Sequence, residues 1–185
     1  MPVKVSQLAG MLLYHTAAKH FPVSYTKIIG GFSKKFRSLC ARLILEDCGR
    51  NINIEKGAAF ASNIKIGNNS GIGKDSVIGG FVQIGENVMM GEACFIYTRN
   101  HKFERLDIPM CEQGFDEYEP VLISDDVWIG GRVTILPGAK IGKGAVIGAG
   151  AVVTGSIPDY AIAVGVPARV IKYRELQKPA AKQGG

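Results

Sequence analysis

Histidine is scarce in this chain. Of three, only His101 lies outside the N-terminal segment, so a three-histidine metal centre has no ligand set in the C-terminal half, and no metal is expected. The four cysteines, Cys40, Cys48, Cys94 and Cys111, show no C-x-x-C spacing. That argues against a disulfide scaffold and fits a reduced, cytoplasmic protein. No apolar run reaches the roughly 20 residues that a membrane span requires. The stretch from Leu8 to Ala18 is closed by Lys19 and His20, and no cleavage-site pattern follows it. It reads as a small amphipathic helix, in preference to a membrane-surface segment or a signal peptide. Aromatic and basic residues are not interleaved, so the net charge of +6 is read as a solubility feature and nucleic acid is not expected as a partner.

What the chain has in quantity is glycine, 24 of 185 residues, and a six-residue beat. Ile54, Phe60, Ile66, Ile72, Ile78, Ile84, Met90 and Ile96 fall at a constant spacing, and Ile123, Ile129, Ile135, Ile141, Ile147 and Val153 resume it. Two residues before each anchor stands a smaller or β-branched residue, such as Ile64, Ser70, Ser76, Val82, Val127 or Ala145. One residue after it, Gly67, Gly73, Gly79, Gly85, Gly91, Gly130, Gly142 and Gly148 recur.

Residues two apart on a strand share a face, so each anchor and the residue two before it point inward together. The glycine after the anchor is expected to turn the chain. Short strands repeated without reversal stack into a parallel β-helix, and three six-residue sides make a triangular prism. Charged residues such as Lys65, Glu86, Lys140 and Lys143 fall on outward positions.

Before the array, residues 1–50 form a helical extension: one helix over 5–20, ended at Phe21-Pro22, and a second over about 25–46, interrupted near Gly30-Gly31. Its basic face, with Lys34, Lys35, Arg37 and Arg42, is read as solvated. The array occupies 51–174, broken once by a polar excursion at 97–120, and long excursions from a solenoid are usually functional. A short charged helix is expected after Val170, then a disordered tail at 175–185.

The hexads, the Asn100-His101 pair in the excursion, the run Val127-Trp128-Ile129-Gly130-Gly131 and the closing Gly165-Val166-Pro167-Ala168-Arg169-Val170-Ile171 resemble the hexapeptide-repeat acyltransferases. Within that family the likeness is to sugar O-acetyltransferases of the maltose and galactoside type and to those of capsular polysaccharide synthesis. The resemblance implies an all-β, left-handed parallel β-helix. It also implies a homotrimer with active sites between subunits, acetyl-coenzyme A as donor, and a sugar or polysaccharide precursor as acceptor.

Acetyl transfer to a hydroxyl needs a base that accepts a proton near neutrality, which histidine suits. His101 stands where the family has that base. The thioester oxygen needs a pre-placed donor, and the resemblance assigns a backbone N–H near Gly131. It further implies that Trp128 lines the pantetheine groove, that Ala149 and Thr154 contact coenzyme A, that Arg169 and Lys172 meet its phosphates, and that Asn100 lies on the acceptor side. Relatives commonly carry a lysine where this chain has Gly155, so that phosphate contact is either missing or supplied by Lys172 or Arg174. Asp107, Asp116, Glu117, Glu119 and Asn100 are all open as the partner that orients His101. Two other readings stand beside the sugar O-acetyltransferase: an antibiotic or amino-sugar acetyltransferase of the same fold, and a non-catalytic trimeric scaffold.

Overall fold

A computed structural model describes residues 4–175. The hexads form the three sides of a parallel β-helix. The first face stacks Asp47–Cys48, Lys65–Ile66, Val82–Ile84, Val121–Ile123 and Lys140–Ile141. The second runs from Asn53–Ile54 and Gly71–Ile72 to Met89–Met90, Trp128–Ile129, Val146–Ile147 and Ala161–Val164, its two parts joined by the Gly71 N–H donating to Val88 O at 3.0 Å. The third holds Ala59–Phe60, Val77–Ile78, Phe95–Ile96, Thr134–Ile135 and Val152–Val153. Anchors stack on anchors: Ile66 on Ile84, Ile84 on Ile123, Ile78 on Ile96 and Ile129 on Ile147. These are almost wholly buried, each worth about 1.5 to 3 kcal/mol against exposure. The serines at inward positions are satisfied: the Ser70 hydroxyl donates to Gly85 O at 2.7 Å and accepts from Val88 N–H at 2.9 Å, and that of Ser76 donates to Gly91 O at 3.4 Å and accepts from Cys94 N–H at 3.1 Å.

The corners are built differently from the expectation that the glycine after each anchor turns the chain. The left-handed residue sits three positions after the anchor, at Asn69 (φ 57°), Asp75 (55°), Asn87 (57°), Asp126 (57°) and Arg132 (58°). Asn and Asp tolerate that conformation better than other side chains. Asn51, Asn69 and Asn87 also form an amide ladder at 3.0 and 3.1 Å. The post-anchor glycines have another reason to be glycine: a Cβ on Gly67 would lie 2.6 Å from Gly85 C, and one on Gly130 2.6 Å from Ala149 N. Adjacent coils touch there, so no side chain fits.

The open lower edge of the first coil is closed by helices α1 (Val5–Thr16) and α2 (Gly30–Ile44), with a 3₁₀ turn at Ala18–His20. Carbonyls that a preceding coil would have paired are met by side chains instead. Ser38 Oγ donates to Ile52 O, Arg37 Nε to Ile54 O, and Tyr14 Oη to Ala58 O. Arg37 is fully buried and paired with Glu55 at 3.4 Å. The second helix begins at Gly30 and is not interrupted there, because residues 24–29 turn back so closely that a Cβ on Gly30 would strike the Ser24 carbonyl. It ends at Ile44, and strand pairing begins at Asp47, ahead of the hexads.

The short helix expected after Val170 is not what residues 169–173 form. Arg169–Tyr173 is a strand, antiparallel to Ala161–Val164, reached through a turn at Gly165 (φ 95°). The chain reverses to cover the last edge of the second face, and β-branched Val170 and Ile171 suit that role. Residues 176–185, where the disordered tail was expected, lie outside the described residues. Among the described residues no helix is long and apolar enough to cross a membrane.

Candidate active site

The 97–120 excursion is an antiparallel ribbon. Glu119 N–H donates to Thr98 O at 2.7 Å, Asp116 N–H to Asn100 O at 3.0 Å and Lys102 N–H to Gly114 O at 3.1 Å, with His101 bridged to Phe115. Gln113 ties its tip, donating to Arg105 O at 2.8 Å and Ile108 O at 3.2 Å while accepting from Arg105 N–H. His101 is therefore held by two paired strands although its side chain is exposed.

The ring of His101 lies against Phe115, centroids 4.0 Å apart. Arg99, two residues earlier and so on the same side of the strand, lays its guanidinium over Phe115 at 3.9 Å and faces Tyr118 at 4.7 Å. Tyr118 packs on Phe81 at 4.5 Å, which fastens the stack to the prism. Among the described residues no hydrogen bond is made by the His101 ring, so both nitrogens are open. Asp107 is engaged by Arg105, whose hydrogen bond holds its carboxyl below the ordinary carboxylate range. Asn100, adjacent in the strand, sends its side chain to the opposite side of the ribbon from His101.

The other candidate residues sit elsewhere on the prism. Trp128 projects from the second face, 53% exposed, level with Met89 and Val146. Gly131 and Ala149 lie at the corner between second and third faces, where Gly150 N–H donates to Gly131 O at 2.9 Å. At the corner between first and second faces the matching N–H groups of Arg50, Glu86 and Lys143 are taken up by Asn68, Asp125 and Asp159. The N–H of Gly131 donates to no protein group among the described residues. Thr154 stands on the corner between third and first faces, the one from which the His101 ribbon leaves two coils below. Arg169 and Lys172 occupy the closing strand. Arg174 is bound to Asp126 Oδ2 at 3.0 Å and Gly144 O at 2.9 Å.

The structure thus groups Trp128, Gly131 and Ala149 on one side of the third face and His101, Asn100 and Thr154 on the other. One chain does not bring His101 beside Gly131. Sequence reasoning missed Arg99, Phe115, Tyr118 and Gln113. The signal was present in the alternation Tyr97, Arg99, His101, Phe103, which has the period of a strand. Among the described residues no group of three His, Cys, Asp or Glu comes together as a metal site.

Comparison with known proteins places these features. The family model for the bacterial transferase hexapeptide (six repeats) matches residues 63–98 and 120–155, on either side of the ribbon. A candidate acetyltransferase of Saccharomyces cerevisiae is 41% identical over 140 residues, 74% of this chain and 70% of that protein. Other curated relatives are matched over less than half their own length, one of them over 29%. Among solved structures, a maltose O-acetyltransferase from Clostridium difficile superposes with a TM-score of 0.68 at 31% identity, covering 92% of this chain and 87% of that one. A galactoside acetyltransferase in complex with coenzyme A gives 0.70 at 28% identity, over 91% and 80%.

Proposed function

The chain belongs to the hexapeptide-repeat acetyltransferase family, and from that premise we propose that it moves an acetyl group from acetyl-coenzyme A to a hydroxyl of a sugar or polysaccharide precursor, with His101 as general base. The observation that carries this reading is His101 itself: an imidazole fixed by a paired ribbon and an aromatic ring, with both nitrogens free to meet substrate. The maltose and galactoside enzymes among the structural neighbours support a sugar acceptor, and the coenzyme A complex supports the donor.

In this reading His101 takes the hydroxyl proton as the sugar oxygen attacks the thioester carbonyl carbon. The oxygen that gains negative charge is met by the free N–H of Gly131. Collapse breaks the carbon–sulfur bond, and the proton held on His101 passes to the departing thiolate, leaving ester, free thiol and neutral histidine. Trp128 and Ala149 line the pantetheine arm, Thr154 lies at its edge, and Arg169 and Lys172 meet the phosphates. Asn100 is assigned to the acceptor side.

His101 and Gly131 sit across the third face from each other, and this supports a homotrimer in which the ribbon of one subunit reaches the groove of the next. The same reading places the enzyme in the cytoplasm, where acetyl-coenzyme A is found and cysteines remain reduced. The test is thiol release from acetyl-coenzyme A against a panel of mono- and oligosaccharides with amino sugars included. Hydroxyl-dependent turnover abolished in His101→Ala is the expected result. Turnover only with amino acceptors would move the reading to N-acetylation, and no coenzyme A binding at all would leave a scaffold.

A further inference from the structure

The helical cap carries a surface that the acetyl-transfer reading does not use. Residues 4–45 contain Lys4, Lys19, Lys27, Lys34, Lys35, Arg37 and Arg42 and not one Asp or Glu. These seven cations exceed the +6 net charge of the whole chain, so the cap holds all of its positive excess. Only Arg37 is turned inward and neutralised, by Glu55. The others have no carboxylate within ion-pair distance among the described residues.

The apolar residues of the cap are also turned outward. On α2, Phe32, Lys35, Leu39 and Arg42 follow one another at spacings of three and four, which places them on a single line along the helix. All four are exposed, Phe32 at 61% and Leu39 at 56%, and Ile28 in the preceding turn is exposed at 93%. On α1 the outward line is Val5, Leu8 and Leu12, at 83%, 56% and 66%. The inward faces bury Tyr14, Ala18, Cys40, Ala41 and Ile44; of the outer residues Phe32 also touches Phe21 and Phe36, ring centres 5.8 and 6.0 Å apart, yet keeps most of its own surface exposed. Beside the α2 line an open groove of about 320 Å³ is lined by Lys34, Lys35, Ser38, Leu39, Arg42 and Asn51.

Read from the sequence, the basic side of α2 was a solvated face. The structure interleaves it with protruding apolar side chains, and that pattern has a narrower set of occupants. A protein partner's interface core is depleted in lysine, whereas an interfacial helix places cations and apolar groups at one level, the cations on phosphates and the apolar groups at the acyl boundary. We propose that the cap docks on an anionic lipid bilayer, with Phe32 and Leu39 entering the headgroup boundary and Lys34, Lys35 and Arg42 meeting the phosphates. The chain lies on such a surface without crossing it.

The test is co-sedimentation of the 185-residue protein with phosphatidylcholine vesicles, with and without phosphatidylglycerol, at low and high salt. Binding that needs phosphatidylglycerol and weakens with salt is expected. A Lys34→Gln, Lys35→Gln, Arg42→Gln variant and a Phe32→Glu, Leu39→Glu variant should each lose roughly ten-fold or more in partitioning. Melting temperature and light-scattering mass of both variants are measured alongside, since all the altered residues lie at the surface. Wild-type protein that stays in the supernatant at low salt overturns the proposal. So does a Phe32→Glu, Leu39→Glu variant that binds vesicles normally, or one whose mass falls while wild type ignores lipid, which would give the face to a second copy of the chain. Acetyl transfer is not read at any point, so this outcome and that of the proposed activity are separate.

Discussion

His101 and Phe115 face each other across the two strands of the ribbon with ring centres 4.0 Å apart, and the same Phe115 ring carries Arg99 at 3.9 Å. One aromatic side chain sets the position of both. Phe115→Ala should leave His101 in place on the backbone but free to rotate. Displacement of a reacting group by about 1 Å can cost up to about 100-fold. A fall in kcat of roughly ten-fold or more is expected, with KM for acetyl-coenzyme A unchanged and partial recovery in Phe115→Tyr. Steady-state kinetics of the three proteins decides it. Equal kcat values would show that the stacking does not position the base.

Gly130 and Gly131 are neighbours with opposite tolerances. A Cβ on Gly130 would sit 2.6 Å from Ala149 N, whereas one on Gly131 finds its nearest atom, Glu92 O, at 3.4 Å. Neither needs a left-handed backbone. Gly130→Ala should destabilise by about 2 kcal/mol or more, as overpacking against backbone does. Gly131→Ala should melt close to wild type and yet lose acetyl transfer, because its methyl would enter the space beside the free N–H. Thermal unfolding paired with the thiol-release assay separates the two. A fully active Gly131→Ala enzyme would remove this residue from the site.

The anchors were legible because burial of one aliphatic every six residues is written directly in side-chain chemistry. Ile78→Asp or Ile141→Asp puts an unpaired charge at a position at most 2% exposed, and soluble, normally melting protein should not be recovered. The corners were half legible. Glycine after the anchor was read as a turn, whereas its cause is contact with the next coil, a relation between residues 18 apart that local propensity does not express. The left-handed positions, three after the anchor, are held by residues as different as Asn69, Asp75, Phe81, Ala93 and Arg132, so no one residue type marks them. The candidate site was legible in its residue types and not in its arrangement. His101 and Gly131 occupy different corners, and only the count of faces reveals it.

Glu55 belongs to the first coil and turns its carboxylate to the cap, where burial pushes its pKa up. Hydrogen bonds from Ser24 and Asn53, with the charge of Arg37, outweigh that and hold it below the ordinary value. A depressed folded-state pKa means the ionised form stabilises the fold above the unfolded carboxylate pKa. That contribution is lost as pH falls through the lower folded value. The cap should therefore loosen in acid before the prism does. In Glu55→Gln the acid limb of the stability curve should flatten, while stability at neutral pH drops because Arg37 loses its counter-charge in a buried place. Unfolding midpoints followed from neutral to acid pH test both halves, and parallel curves for the two proteins would refute them.

The separation of His101 from Gly131 across the third face yields a test that needs no knowledge of the acceptor beyond any that turns over. Take two variants that are each inactive: His101→Ala, which keeps the groove, and Trp128→Ala with Gly131→Val, which keeps the base. If each site draws the base from one subunit and the groove from the next, mixed assemblies contain sites built from the two intact parts. With random mixing in equal amounts, such a site needs an intact base and an intact groove from different chains. About a quarter of wild-type activity should then return after co-refolding or subunit exchange. If one chain carried a whole site, every site in the mixture would lack one part, and activity would stay at the level of the separate variants. Activity measured against mixing ratio discriminates further, since the product of the two fractions peaks at equal amounts.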